Sequence, residues 1–193
     1  MNDNQEIFPL SKKRKIKGTR RLSREKALQI IIACEVSNTP WRENFNHIFF
    51  RDFTFDEIET EPKKLLRPDE ILELEADTPI DWTDEEIDFT VKLIEKVEEN
   101  KDYIDNLIVR FAQNWELDRI AIIDRAIIQI AVTEFIAFEE IPTKVSINEA
   151  IDIAKQYSTE KSGIFINGIL DSILDMLKSE GKIIKSGRGL IDK

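Results

Sequence analysis

Residues 117–138 read LDRIAIIDRAIIQIAVTEFIAF. Ile120, Ile123, Ile127, Ile130 and Ala131 recur at three- and four-residue intervals, and apolar residues fill most of the positions between them. A helix that is apolar on more than one face has to be surrounded by other elements, so this segment predicts the central helix of an all-α fold. Working outward, Pro142 stops it, because a proline ring clashes with the preceding turn and donates no amide. Ser146-Ile147-Asn148-Glu149 then has the form of a capping box opening a helix that ends near Tyr157. A last long helix covers about residues 160–180, with Gly181 as the C′ glycine. Gly163 and Gly168 lie within it, where glycine costs up to ~1 kcal/mol relative to Ala; the expectation is that they mark close approach of another backbone or a ligand.

On the N-terminal side, Thr83-Asp84-Glu85-Glu86 forms a second capping box. It predicts a helix to about Glu99 that buries Ile87, Val91, Ile94 and Val97. A separate helix follows over 101–114, with Ile104, Leu107, Ile108 and Phe111 inward. The first helix runs from Thr19 or Ser23 to Val36, with Ala27, Leu28, Ile31 and Ile32 forming its apolar stripe. Residues 37–82 hold Pro40, Pro62, Pro68 and Pro79 among aromatics and charges, which predicts one or two short helices joined by ordered loops. No β-sheet is read. The expected organisation is a flexible basic arm over 1–18, a single helical domain over 19–181 with an enlarged 37–82 segment, and a mobile tail over 182–193.

The net charge of −10 speaks against nucleic acid if it is spread evenly. It is not: residues 11–26 carry nine Lys/Arg against one Glu and residues 1–10 carry two acids, which leaves −16 on residues 27–193. The chain is a basic arm on an acidic body. No apolar run approaches the ~18 residues of a membrane span and no leader pattern opens the chain, so a soluble, cytoplasmic protein is expected. Cys34 is alone, which fits a reducing compartment. With one Cys and one His, the usual zinc sites, which take about four such ligands, are excluded. The recognisable phosphate-loop, dinucleotide, zinc-protease and nucleophile-elbow motifs are absent, and His47 alone is a poor basis for a catalytic triad. No catalytic residue, metal or cofactor is assigned, and an enzyme is not expected.

Three features remain as candidates. Arg20 and Arg24 stand one turn apart on one helix face with Arg21 beside them, and Lys12, Lys13, Arg14, Lys15 and Lys17 lead in; guanidinium groups at this spacing suit a phosphate backbone. A solubilising arm, or charge balance against the acidic body, accounts for the cluster equally well. Residues 158–168, with Ser158, Thr159, Lys161 and Phe165, set small polar groups and an aromatic at a helix start, an arrangement that suits stacking of unpaired bases. A core phenylalanine is the competing reading of Phe165. Asp124 and Arg125, in the apolar central segment, read either as a structural ion pair or as part of a binding surface.

From about Ile104 to Leu174 the chain resembles the NusB family. The resemblance runs through Ile123-Asp124-Arg125-Ala126-Ile127-Ile128, Glu134, the stretch from Ile141-Pro142-Thr143-Lys144-Val145 through Ile147-Asn148-Glu149-Ala150 to Ile153-Ala154-Lys155, and Phe165-Ile166-Asn167-Gly168-Ile169-Leu170-Asp171. The opening Arg20-Arg21-Leu22-Ser23-Arg24-Glu25 is similar to the family's arginine-rich first helix. The resemblance implies an all-α, NusB-like bundle of two packed three- to four-helix subbundles. It also implies an RNA-binding transcription antitermination factor that holds boxA-type RNA with NusE, a small-subunit ribosomal protein, and acts on RNA polymerase indirectly in ribosomal RNA operons. Carried over by position, the RNA contacts are Arg20, Arg21, Arg24, Asp124, Arg125, Ser158, Thr159, Lys161 and Phe165. The chain departs from the family pattern at Gln129, where an arginine is usual, at Thr133, where an aromatic is usual, and at Lys161, where an acid is common. Ile32 and Cys34 also stand where aromatics are frequent. A protein-interaction adaptor or divergent paralogue with weak RNA binding, alone or as a homodimer, is the alternative. The same fold is joined to RNA methyltransferases, but this chain carries no methyl-donor motif or catalytic cysteine pair.

Overall fold

The computed structural model describes residues 16–50, 80–112 and 117–192. The basic residues Lys12 to Lys15 and the larger part of the enlarged segment, 51–79, lie outside the described residues. Among the described residues six α-helices carry the fold: α1 (Arg20–Ser37), α2 (Trp41–Phe45), α3 (Asp84–Phe111), α4 (Ile122–Ala137), α5 (Thr143–Tyr157) and α6 (Glu160–Ser179). A π-helical turn at Asn46–Phe50 continues α2, and 3₁₀ turns lie at Leu117–Arg119 and Gly187–Asp192.

Helix α4 packs against α1, α3, α5 and α6, and ten consecutive residues, Ala126 to Phe135, are buried on it. That is the central helix the apolar run requires. Around it Leu28 and Ile30 of α1, Leu93, Ile104 and Ile108 of α3, and Ile166, Leu170 and Leu177 of α6 are almost wholly inaccessible. Trp41, Phe45 and Phe49 close one end of this core, with Phe45 stacked on Phe49 at 4.8 Å and Phe49 on Trp82 at 4.4 Å.

The helix starts follow local chemistry where side chains cap them. Thr83 Oγ1 accepts from the Glu86 amide at 3.3 Å and the Thr83 amide donates to Glu86 Oε2 at 3.0 Å, closing the predicted capping box. Gly181, at φ 67°, ends α6: its amide reaches Lys178 O and the Lys182 amide reaches Leu177 O, the pairing of a Schellman turn.

Five expectations are corrected. The two helices read over 83–99 and 101–114 are one, because nothing at Asn100–Lys101 breaks a helix: Asn100 bonds the Lys96 carbonyl at 2.8 Å and Lys101 reaches Asp105 at 2.7 Å. Helix α5 starts at Thr143, one turn before the supposed capping box, and Ser146 is buried inside it; Pro142 stands at the N-cap, and its carbonyl accepts from the Ser146 amide at 3.2 Å. A parallel bridge pairs Ile16–Lys17 with Ile80–Asp81, too short for any alternation to betray it. It is extended by the Gly18 amide on Asp81 O, and a Cβ on Gly18 would overlap the Glu86 carboxylate and the Trp82 ring. The tail over 182–192 lies against the body: Lys185 Nζ donates to the Glu134 and Phe138 carbonyls at 2.9 and 2.8 Å, a cation on the C-terminal end of α4. Finally, among the described residues no other backbone approaches Gly163 or Gly168. A Cβ on Gly163 would make an ordinary 3.8 Å contact with Ile151, and one on Gly168 would meet nothing.

Candidate nucleic-acid interface

The start of α1 is capped by Thr19, whose Oγ1 accepts from the Leu22 amide at 3.2 Å. The helix presents three arginines, and packing sorts them into three different states. Arg20 is exposed, its guanidinium 4.1 Å above the Phe89 ring, a cation–π contact that holds the head near the surface. Arg21 is half exposed and forks onto α5, donating to Glu149 Oε1 and Oε2 at 3.0 and 3.1 Å and to Asp152 Oδ2 at 2.7 Å. These bonds, to Glu149 first and then Asp152, raise the Arg21 guanidinium above its ordinary range. The Asp152 carboxyl is held below its own by the Arg21 bond.

Arg24 is buried. Its Nε and Nη2 donate to Glu134 Oε1 and Oε2 at 2.7 and 3.3 Å, and Nη1 donates to the Arg20 carbonyl at 3.2 Å. A guanidinium forked onto a carboxylate inside the core is a clamp between α1 and α4. The sequence placed Arg24 among the RNA contacts because it shares a helix face with Arg20. That face turns inward at Arg24.

The Asp124-Arg125 pair splits the same way. Asp124 is buried and accepts from Ser158 Oγ at 2.6 Å. Arg125 pairs with Glu35 of α1, and burial pulls its guanidinium below the ordinary value. Both act inside the molecule, Asp124 by pinning the turn between α5 and α6. Ser158 ends α5, and its hydroxyl lies 2.9 Å from Ser162 Oγ, which in turn lies 2.8 Å from Thr159 Oγ1. This hydroxyl chain leaves Thr159 and Lys161 exposed at the start of α6, with Phe165 one turn on, half-buried and packed on the core. Of the nine residues expected from sequence, the structure exposes Arg20, Arg21, Thr159 and Lys161, leaves Ser158 and Phe165 partly covered, and encloses Arg24, Asp124 and most of Arg125.

Sequence reasoning missed Phe89, Glu134 and Tyr157 as parts of this site. Tyr157 Oη donates to Glu25 Oε2 at 2.9 Å, tying the end of α5 to α1. Burial, with the Glu25 carboxylate beside it, pushes the Tyr157 phenol up to about 12. Because the folded pKa exceeds the unfolded value of about 10, the folded state holds this proton longer. The stabilisation is present below pH ~10 and falls away as pH rises towards 12. Tyr157→Phe is therefore expected to flatten the loss of stability between pH 10 and 11, read from urea midpoints at the two values; an unchanged slope would show that another group governs it.

Among the described residues, no three His, Cys, Asp or Glu side chains are grouped to hold a metal ion, and no helix is long and apolar enough to cross a membrane. Residues 21–175 match the model of the NusB family. The chain belongs to the NusB family. Relatives named transcription antitermination protein NusB include that of Chloroherpeton thalassium, 38% identical over 90% of this chain and 70% of its own length. That of Salinibacter ruber is 46% identical over 58% of this chain and 71% of its own. As a NusB-family member the chain is an antitermination factor and not an enzyme. The NusB structure from T. maritima superposes with a TM-score of 0.58 at 28% identity, covering 83% of this chain and 93% of that one. A crystal structure of the antitermination factors NusB and NusE in complex with dsRNA shares the fold at a TM-score of 0.59 and 18% identity, over 81% of this chain and 96% of that one. These NusB folds agree with the all-α bundle read from the sequence.

Proposed function

We propose that the chain binds boxA-type single-stranded RNA together with NusE and, through that complex, acts on RNA polymerase to promote read-through in ribosomal RNA operons. The observation that carries this reading is the exposed pair Arg20 and Arg21 at the start of α1, preceded by the exposed Lys17. Both guanidinium groups are held but not spent. Arg20 rests on Phe89, and Arg21, half exposed, is forked onto Glu149 and Asp152, so a phosphate reaches Arg20 directly and competes with two carboxylates for Arg21. The hydroxyls and Lys161 at the start of α6 supply hydrogen bonds to bases or phosphates, and Phe165 supplies an aromatic ring on whose face a base stacks. In this reading Arg24, Asp124, Arg125 and Ser158 position these groups without touching RNA. The names of the relatives, and the NusE and RNA bound in the structure of similar fold, support the partners.

The test is binding of the full chain to a boxA-like RNA and a scrambled strand, with and without NusE, across a salt series. The wild type is expected to prefer the boxA-like strand and to gain affinity from NusE. Arg20→Glu with Arg21→Glu is expected to lower affinity at least tenfold, and to make the slope of log affinity against log salt shallower by ~1.4, that is ~0.7 for each phosphate no longer neutralised. Unaltered affinity and slope in the double variant would favour the protein-only adaptor.

A further inference from the structure

The three arginines of α1 differ in what their guanidinium groups still have to offer. Arg24 is buried on Glu134, and Arg21 donates to the carboxylates of Glu149 and Asp152. Arg20 is exposed and, among the described residues, its side chain donates no hydrogen bond and enters no ion pair. What holds it is a ring: its Cζ stands 4.1 Å over the centroid of Phe89. The ring is itself fixed. Phe89 is 4% exposed, meets the Phe138 ring edge-on at 5.5 Å and 74°, and has the Arg24 guanidinium 5.5 Å from its centroid. With Phe89 so nearly covered and Arg20 exposed directly over it, the Arg20 guanidinium lies between the ring and solvent.

A guanidinium is planar, with five N–H donors around its edge and two faces. A ring beneath it takes one face and leaves the edge and the other face. A phosphate uses the edge. The outer face matches a second π-surface, and unpaired RNA bases stack on guanidinium planes as they do on aromatic rings. An ammonium has no such plane, so Lys92, whose Nζ lies 4.7 Å over Phe138 on the same ring pair, offers charge without a stacking surface. We propose that Arg20 is a base-stacking platform: an unpaired base of the bound RNA lies on its outer face, in a stack of base, guanidinium and Phe89, while its N–H edge reaches a phosphate. This rests on the RNA-binding reading above and adds to it the chemical group that Arg20 takes, with Phe89 as its positioning residue.

The full chain is titrated with the boxA-like RNA and with versions of that strand in which one nucleotide at a time is made abasic. Arg20→Lys keeps the charge and removes the plane. It is expected to lower affinity about tenfold, within the range for losing one stacked base, with the slope of log affinity against log salt unchanged. One abasic position is expected to cost a similar factor in the wild type and little further in Arg20→Lys, because base and guanidinium make one contact. Phe89→Leu is expected to lower affinity about threefold, and Phe89→Tyr to restore it, with urea midpoints reporting any loss of stability; the Arg20→Lys arm leaves the core untouched. An Arg20→Lys affinity within about twofold of the wild type, or abasic costs that are equal in the two proteins at every position, overturns the proposal and leaves Arg20 a phosphate ligand alone. Those results differ from failure of the RNA-binding reading itself, in which reversal of Arg20 and Arg21 also leaves affinity unaltered.

Discussion

Glu134→Ala is expected to destabilise the protein by about 3–5 kcal/mol, the range for removing one partner of a buried ion pair, measured by urea denaturation monitored by circular dichroism. The carboxylate side chain is 1% exposed and receives two bonds from Arg24, itself 5% exposed. With Glu134 gone, the guanidinium keeps the Arg20 carbonyl at 3.2 Å and Glu149 at 3.7 Å, neither of which replaces a forked carboxylate. Arg24→Ala should cost a similar amount, because it strands the carboxylate instead. Replacing both at once, Arg24→Met with Glu134→Leu, should recover most of the loss, since a packed apolar pair of similar volume avoids desolvating two charges. The double variant also separates structure from recognition. Under the proposed function it keeps RNA affinity within about threefold, less than the tenfold that 1.4 kcal/mol represents. A loss as large as that of the Arg20 and Arg21 reversal would return Arg24 to the RNA contacts, and a single-variant cost below ~1 kcal/mol would mean that the pair is solvated.

Phe135→Ala is expected to cost about 3–5 kcal/mol, the range for truncating a fully buried aromatic. The ring has no accessible surface and sits on the helix that packs against α1, α3, α5 and α6. Four neighbouring helices hold the walls of such a hole apart, so little collapse relieves it and the cavity adds to the lost transfer energy. By contrast, truncation of the largely exposed Ile164 on α6 should change stability by no more than ~0.5 kcal/mol. If the two cost the same in urea, the centre of the fold is not where α4 lies.

Helix existence was legible because its causes are local. The apolar run over Ile120–Phe138, the Thr83–Glu86 box and Gly181 each act within about a turn, and each does in the structure what its chemistry predicts. Boundaries failed where two local signals competed, as at Ser146, whose hydroxyl suits a cap but whose position follows Pro142 into the helix. The β bridge at Ile16–Lys17 failed differently: its partner is more than sixty residues away, and two residues carry no period.

The candidate site divides along the same line. The sequence alone determined that the chain is helical, that a central apolar helix organises it, that it resembles the NusB family and that arginines open its first helix. A helix period places Arg20 and Arg24 on one face, but nothing within a few residues says how far that face extends before it meets another helix. Only the tertiary structure decided that Arg20 rests on Phe89 at the surface, that Arg21 forks onto α5, and that Arg24 is spent on Glu134, 110 positions along the chain. The physical reason is range. Capping and periodicity are set by neighbours in sequence, whereas the accessibility of a charge is set by whichever distant carboxylate, ring or backbone carbonyl packing brings to it.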